Sequence, residues 1–219
     1  MQKNFVITIA RGFGSGGKEI ALSLSQKLGI PCYERQILQM ASDYSGLDEK
    51  EFAIVDEKLR GSILTKALEK FPFPRELISQ NKRFEGDSHL FSIQAEIIRK
   101  LAESSSCVIV GKCADFILKD AKNVGSFYIE APRSACLESI INKTGVSERE
   151  AAKLIETTDK YRSDYYKFYS GGNYWTNPIN YDLTLNSARI GRDKCADVII
   201  QTMKIKFGED FIQAFEKNI

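Results

Sequence analysis

The residues Arg11-Gly-Phe-Gly-Ser-Gly-Gly-Lys18 have the types and spacing of a phosphate-binding turn. Glycines at 12, 14, 16 and 17 let main-chain N–H groups converge on one concavity, to which a following helix adds its positive N-terminal end. Lys18 supplies a mobile ammonium group that can follow a transferring phosphate. The spacing Gly12-x4-Gly17-Lys18 matches the first seven positions of a P-loop. The eighth position, where Ser or Thr normally holds magnesium, is Glu19. An apolar strand before the turn and an amphipathic helix after it favour phosphate binding over a merely structural glycine turn.

Other chemistry-bearing residues recur at expected strand ends. Tyr33-Glu34-Arg35 follows a short apolar segment. Arg35 is there either a bidentate clamp for an acceptor phosphate or an ion-pairing residue of the helix it opens. Lys112 and Asp115 follow the apolar run Cys107–Gly111. They face the mouth of the turn or belong to the surface of the next helix. Over 157–167, Asp159 and Arg162 at i,i+3, and Arg162 and Tyr166 at i,i+4, share one helix face. That face is a solvated surface or a lid; the need of phosphoryl transfer for a dry, positive site favours the lid. The turn-rich stretch 169–178 suits a hinge on its far side. Asp182, opening the last strand, caps or pairs locally, or contacts a sugar hydroxyl.

Alternating strands and helices must position these groups. Apolar runs at 4–10, 30–33, 107–111, 124–132 and 181–186 are strand length, and the unbroken ones suit strands covered on both faces. Helical spacing covers 17–28, 35–45, 48–70, 91–104, 133–142, 147–168 and 191–206, with Phe71-Pro-Phe-Pro74 breaking the third. The polar segment 75–90 reads as mobile. The pattern implies a parallel sheet with right-handed crossovers, whose ligands lie beyond the carboxyl ends of its strands.

At 219 residues the chain is one large α/β domain, or one such domain carrying a lid. A net charge of +2 lacks the basic excess of a duplex-DNA binder, so no nucleic-acid polymer is expected as a partner. Five scattered cysteines without Cys-x-x-Cys fit a reducing cytosol rather than a disulfide frame or zinc site. The lone His89 cannot build a multi-histidine metal centre. The opening apolar run stops at Arg11, too short for a membrane span, so a cytoplasmic location without a membrane partner is expected. The oligomeric state is left open.

Four blocks, in order, resemble the cytidylate kinase-like proteins, a bacterial branch of the P-loop nucleoside monophosphate kinases: 11–21, Val108–Leu118, Asp159–Tyr166 and Asn180–Ser187. The resemblance covers residues 4–205. It implies a P-loop NTPase-type three-layer α/β/α domain over 1–219, with a monophosphate-binding insert at 34–105 and a lid at 143–178. It also implies transfer of the ATP γ-phosphoryl to CMP or dCMP with Mg2+. Gly12, Gly14, Ser15, Gly16, Gly17, Lys18 and Glu19 would then hold the donor, with Lys18 and Arg162 catalytic. Arg35 and Lys112 would grip the acceptor phosphate, and Asp115, Asp159 and Asp182 would serve the acceptor nucleoside. The established family turn reads Gly-Lys-Gly-Thr where this chain has Gly17-Lys-Glu-Ile20, which leaves the magnesium ligands open. Gly111-Lys112 stands for the usual Gly-Arg and keeps the cation without the bidentate fork. A kinase of another small metabolite and a catalytically weak nucleotide-binding module are the alternatives.

Overall fold

The computed structural model describes residues 4–45 and 88–215. Its five strands are β1 (Val6–Arg11), β2 (Cys32–Tyr33), β3 (Cys107–Val110), β4 (Val124–Glu130) and β5 (Leu183–Asn186). They pair in parallel throughout, in the order β2-β3-β1-β4-β5. Central β1 is in register with both neighbours, Val6 lying opposite Cys107 and Val124.

Alternate side chains of β1 feed two helical layers, the consequence of a period of two in a sheet covered on both faces. Phe5, Ile7 and Ile9 pack with α1 (Gly17–Leu28) and with two C-terminal helices, α8 (Arg192–Phe207) and α9 (Glu209–Phe215). Val6 packs instead with α2 (Gln36–Ser45), α3 (Ser88–Ser104) and the single turn α4 (Ala114–Ile117). Ile7, Ile9, Ile20 and Leu24 are fully buried in the first layer. Each such side chain contributes about 1.5–3 kcal/mol. The result is the three-layer α/β/α arrangement expected from the sequence.

Two helices rise beyond the carboxyl ends of the strands. α5 (Arg133–Thr144) and α6 (Glu148–Tyr169) pack through Cys136, Ile140, Ala151, Leu154 and Ile155, with Phe13 of the glycine turn against the same cluster. A capping box fixes the start of α6: the Ser147 side chain accepts from Glu150 N–H, and the Glu150 carboxylate accepts from Ser147 N–H. The single turn α7 (Ser187–Ile190) follows β5.

The expected helix over 48–70, its proline break and most of the 34–105 insert lie outside the described residues, as do 75–87 of the segment read as mobile. Residues 88–90 form the first turn of α3. The stretch 169–178 is anchored: Trp175 is buried against Tyr128, ring centroids 5.4 Å apart, and its carbonyl accepts from the Tyr181 hydroxyl at 2.7 Å. Helices α4 and α7 are too short to leave a period, which is why the sequence pattern missed them. Among the described residues no helix is long and apolar enough to cross a membrane.

Candidate active site

The glycine turn leaves β1 and enters α1 at the carboxyl edge of the sheet. Gly12 N–H donates to Ile129 O at 3.0 Å, which holds the start of the turn to β4. Gly16 has φ 86°, and a Cβ there would lie 2.4 Å from Nε of Arg192, so only glycine fits. Ser15 is buried; its hydroxyl donates to Gly12 O at 2.8 Å and closes the turn on itself. The turn offers main-chain N–H groups at the N-terminus of α1, together with the Lys18 ammonium group.

Lys18 Nζ stands 2.8 Å from Glu34 Oε2, and Arg11 Nη2 donates to Glu34 Oε1 at 3.1 Å. Burial pushes the Glu34 carboxyl up, but Arg11, Lys18 and Lys112 hold it down to about 2. Nothing in its own chemistry marks Glu34 in the sequence. Its position directly after an apolar segment, beside Arg35, was the available signal. Arg35 itself is exposed and lines the same cavity.

After β3 the backbone passes through three consecutive left-handed residues, Gly111, Lys112 and Cys113, with φ of 73°, 60° and 54°. Such conformations cost energy for side-chain-bearing residues and cluster at functional sites. They bring Lys112 into the cavity and bury Asp115 on α4. Asp115 accepts from the Tyr166 hydroxyl at 2.7 Å. Burial pushes its carboxyl up to about 6 despite that hydrogen bond.

From α6, Asp159 Oδ1 accepts from Phe13 N–H at 2.8 Å, and Arg162 Nη1 donates to Arg11 O at 2.9 Å. The expected lid helix is thus bonded to the main chain of the turn. Glu19 ion-pairs with Lys143 at the end of α5. Burial opposes its ionisation, but Lys143 and Arg192 outweigh it and leave the pKa low.

One cavity of about 370 Å3 brings together the glycine turn, Arg35, Lys112, Asp115 and Arg162, with Tyr161 and Tyr165 as aromatic wall. Asp182 is not among its lining residues. It precedes β5, pairs with Lys206 at 2.6 Å and accepts from Ser126 N–H at 2.8 Å. Residues at the amino edge of a parallel strand point away from the ligand edge. His89 is exposed in the first turn of α3. All five cysteines are free, four of them buried. No cluster of three metal-ligating side chains exists among the described residues, and Glu19 is the carboxylate at the metal position of the turn.

A parallel sheet in this order, with a glycine–lysine turn closing its central strand and cations gathered around it, defines a P-loop kinase. A profile of the cytidylate kinase-like family matches residues 6–189, and the chain belongs to that family. The crystal structure of an uncharacterized protein from Eubacterium ventriosum ATCC 27560 is similar at 25% identity and a TM-score of 0.66, covering 92% of this chain and 99% of that one. A shikimate kinase from Acinetobacter baumannii, in complex with shikimate, is 13% identical with a TM-score of 0.49, covering 95% of this chain and 97% of that one. A gluconokinase from Sinorhizobium meliloti 1021 is 13% identical with a TM-score of 0.46, covering 99% and 97% respectively. Among curated proteins none matches this chain.

Proposed function

We propose that this protein is an ATP-dependent nucleoside monophosphate kinase acting on CMP or dCMP. The observation that carries the reading is the single cavity in which the Lys18 turn faces Arg35, Lys112 and Asp115 under the Arg162 helix. The turn and Lys18 bind the donor's terminal phosphates. Arg35 and Lys112 hold the acceptor phosphate, Asp115 and Asp159 serve the nucleoside side, and Arg162 adds positive charge from above. An acceptor oxygen then attacks the γ-phosphorus in line while the bond to the β–γ bridging oxygen breaks, so catalysis is positioning plus charge stabilisation. Three cations around Glu34 leave a local charge of +2, which still attracts a phosphate dianion.

Mg2+ is the proposed companion of ATP. Magnesium is held by one or two carboxylates plus substrate phosphates and water, and Glu19, the carboxylate directly after Lys18, fits that donor set. When bound, it supplies charge neutralisation of the β- and γ-phosphates. The free, buried thiols suit a cytoplasmic setting.

Glu34 favours a second reading, a small acceptor that offers a hydroxyl. A carboxylate beside Lys18 accepts a hydrogen bond from an alcohol and repels a phosphate oxygen. A coupled ADP-release assay over CMP, dCMP, UMP, AMP and non-nucleotide alcohols separates the two, with Lys18→Ala as control. Selective ADP release with CMP or dCMP supports the first reading. Release only with an alcohol supports the second. ATP binding with no acceptor exceeding the Lys18→Ala control identifies a nucleotide-binding module.

A further inference from the structure

We propose that Arg11 is a positioning residue for Lys18: by holding Glu34, it lets the lysine leave for phosphate. This rests on the reading that the glycine turn takes a polyphosphate. Lys18 already faces an anion that belongs to the protein, its ammonium group standing 2.8 Å from Glu34 Oε2. A carboxylate there competes with phosphate for the same cation. The outcome of that competition depends on what else holds Glu34.

Arg11 is the other holder, donating to Glu34 Oε1 at 3.1 Å. Its side chain is threaded between two glycines. A Cβ on Gly17 would lie 2.5 Å from Arg11 Cβ, and a Cβ on Gly111 would strike the guanidinium. The side chains of Arg11 and Glu34 are 17% and 23% exposed, whereas that of Lys18 is 59% exposed. The covered pair is therefore close to neutral by itself, and the lysine is the member with room to leave. Burial opposes the ionisation of Glu34, and Arg11 heads the cations that overcome it, ahead of Lys18 and Lys112. When Lys18 swings to a phosphate, Glu34 keeps a charged partner. Without Arg11, that swing would strip a largely buried carboxylate of its nearest remaining cation, and a charge left short of partners in such a place is costly. Arg11 also lines the cavity, where a guanidinium could touch phosphate directly. The two roles separate in a Glu34→Gln background, where no carboxylate competes for Lys18.

The test is a calorimetric titration of the full chain with inorganic tripolyphosphate in EDTA, at about 0.15 M salt, where charges more than about 8 Å apart are largely screened. Arg11→Met keeps the main-chain oxygen that Arg162 holds. It is expected to bind tripolyphosphate about tenfold more weakly than wild type, the scale of one charge-assisted hydrogen bond. Glu34→Gln is expected to bind at least as tightly as wild type. The double variant Arg11→Met/Glu34→Gln is expected to stay within about twofold of Glu34→Gln, since the loss operates only through the carboxylate. Arg11→Gln, which keeps a neutral donor for Glu34, stands in if Arg11→Met does not fold. A double variant that loses as much against Glu34→Gln as Arg11→Met loses against wild type makes Arg11 a direct phosphate contact and overturns the proposal. So does a folded Arg11→Met protein within about twofold of wild type, or a folded Glu34→Gln protein that binds more than about threefold more weakly. If Lys18→Ala loses tripolyphosphate while Arg11→Met keeps it, this inference fails and the phosphate-turn reading stands. If the wild-type protein takes up no tripolyphosphate, both fail.

Discussion

Arg11 reaches Glu34 across the glycine that follows β3. The guanidinium donates to the carboxylate at 3.1 Å, although β3 separates the strands that carry the two residues. A Cβ on Gly111 would lie 2.1 Å from Arg11 Nη1, so the missing side chain is the corridor for the contact. β1 is thereby tied over β3 to the residue that follows β2, and the second oxygen of Glu34 is left to Lys18.

Gly111→Ala closes that corridor at a residue whose φ is 73°. The backbone strain alone is expected to cost about 1–3 kcal/mol in urea denaturation, with acceptor-dependent turnover falling as Glu34 loses its fixed position. A variant that unfolds with the wild type would show that the corridor is unnecessary.

Glu34→Gln tests the ion-pair cluster through acid. The Glu34 carboxyl has a folded pKa of about 2 against an ordinary 4.5. Its contribution is fully present above the ordinary value and is lost as pH falls through about 2, amounting to about 3 kcal/mol at most. The stability gap between wild type and variant should shrink as denaturation curves are moved from about pH 5 to about pH 2. A gap that does not change with pH counts against the cluster.

Asp115 has the opposite sign. Its folded pKa of about 6 lies above the ordinary 3.8. The stability it contributes is fully present below that ordinary value and is lost as pH rises through about 6. Asp115→Asn keeps an acceptor for Tyr166 and does not titrate. The variant should therefore gain on the wild type by about 3 kcal/mol between about pH 4 and pH 7. Parallel pH dependences in the two proteins would refute the upward shift of the buried carboxyl.

Arg162→Ala removes the hydrogen bond to Arg11 O and a cation from the cavity. The expected stability loss is about 1.5–3 kcal/mol, typical of a hydrogen bond to a charged group. Turnover with the best acceptor should fall by more than that energy accounts for. If thermal stability suffers more than turnover, Arg162 is a brace rather than a catalytic group.

Much of this arrangement is legible in the sequence where physics is local. The apolar run of β1, the glycine spacing and the period of α1 each lie within a few residues, so strand, turn and helix follow directly. The Asp159–Arg162 pair is legible for the same reason, being set by helix geometry. Glu34 and Lys143 are not, because their partners lie on other elements: Lys18 and Arg11 for one, Glu19 for the other. The Asp182–Lys206 pair is not legible either, because Lys206 comes from the last turn of α8. A residue that opens a parallel strand sits on the far side of the sheet from the turn, where Lys206 waits for it.

Both bonds that fasten α6 to the turn, Asp159 to Phe13 N–H and Arg162 to Arg11 O, address groups every amino acid but proline carries. The side chain at 13 adds a grip of its own, since Phe13 packs with Ala151, Leu154 and Ile155 and its ring lies under the Arg162 guanidinium, 5.6 Å from the centroid. The coupling between what the turn holds and what covers it is thus written partly into the peptide chain itself, and exchanging Phe13 for a residue of another shape would give up the packing while leaving both main-chain bonds in place.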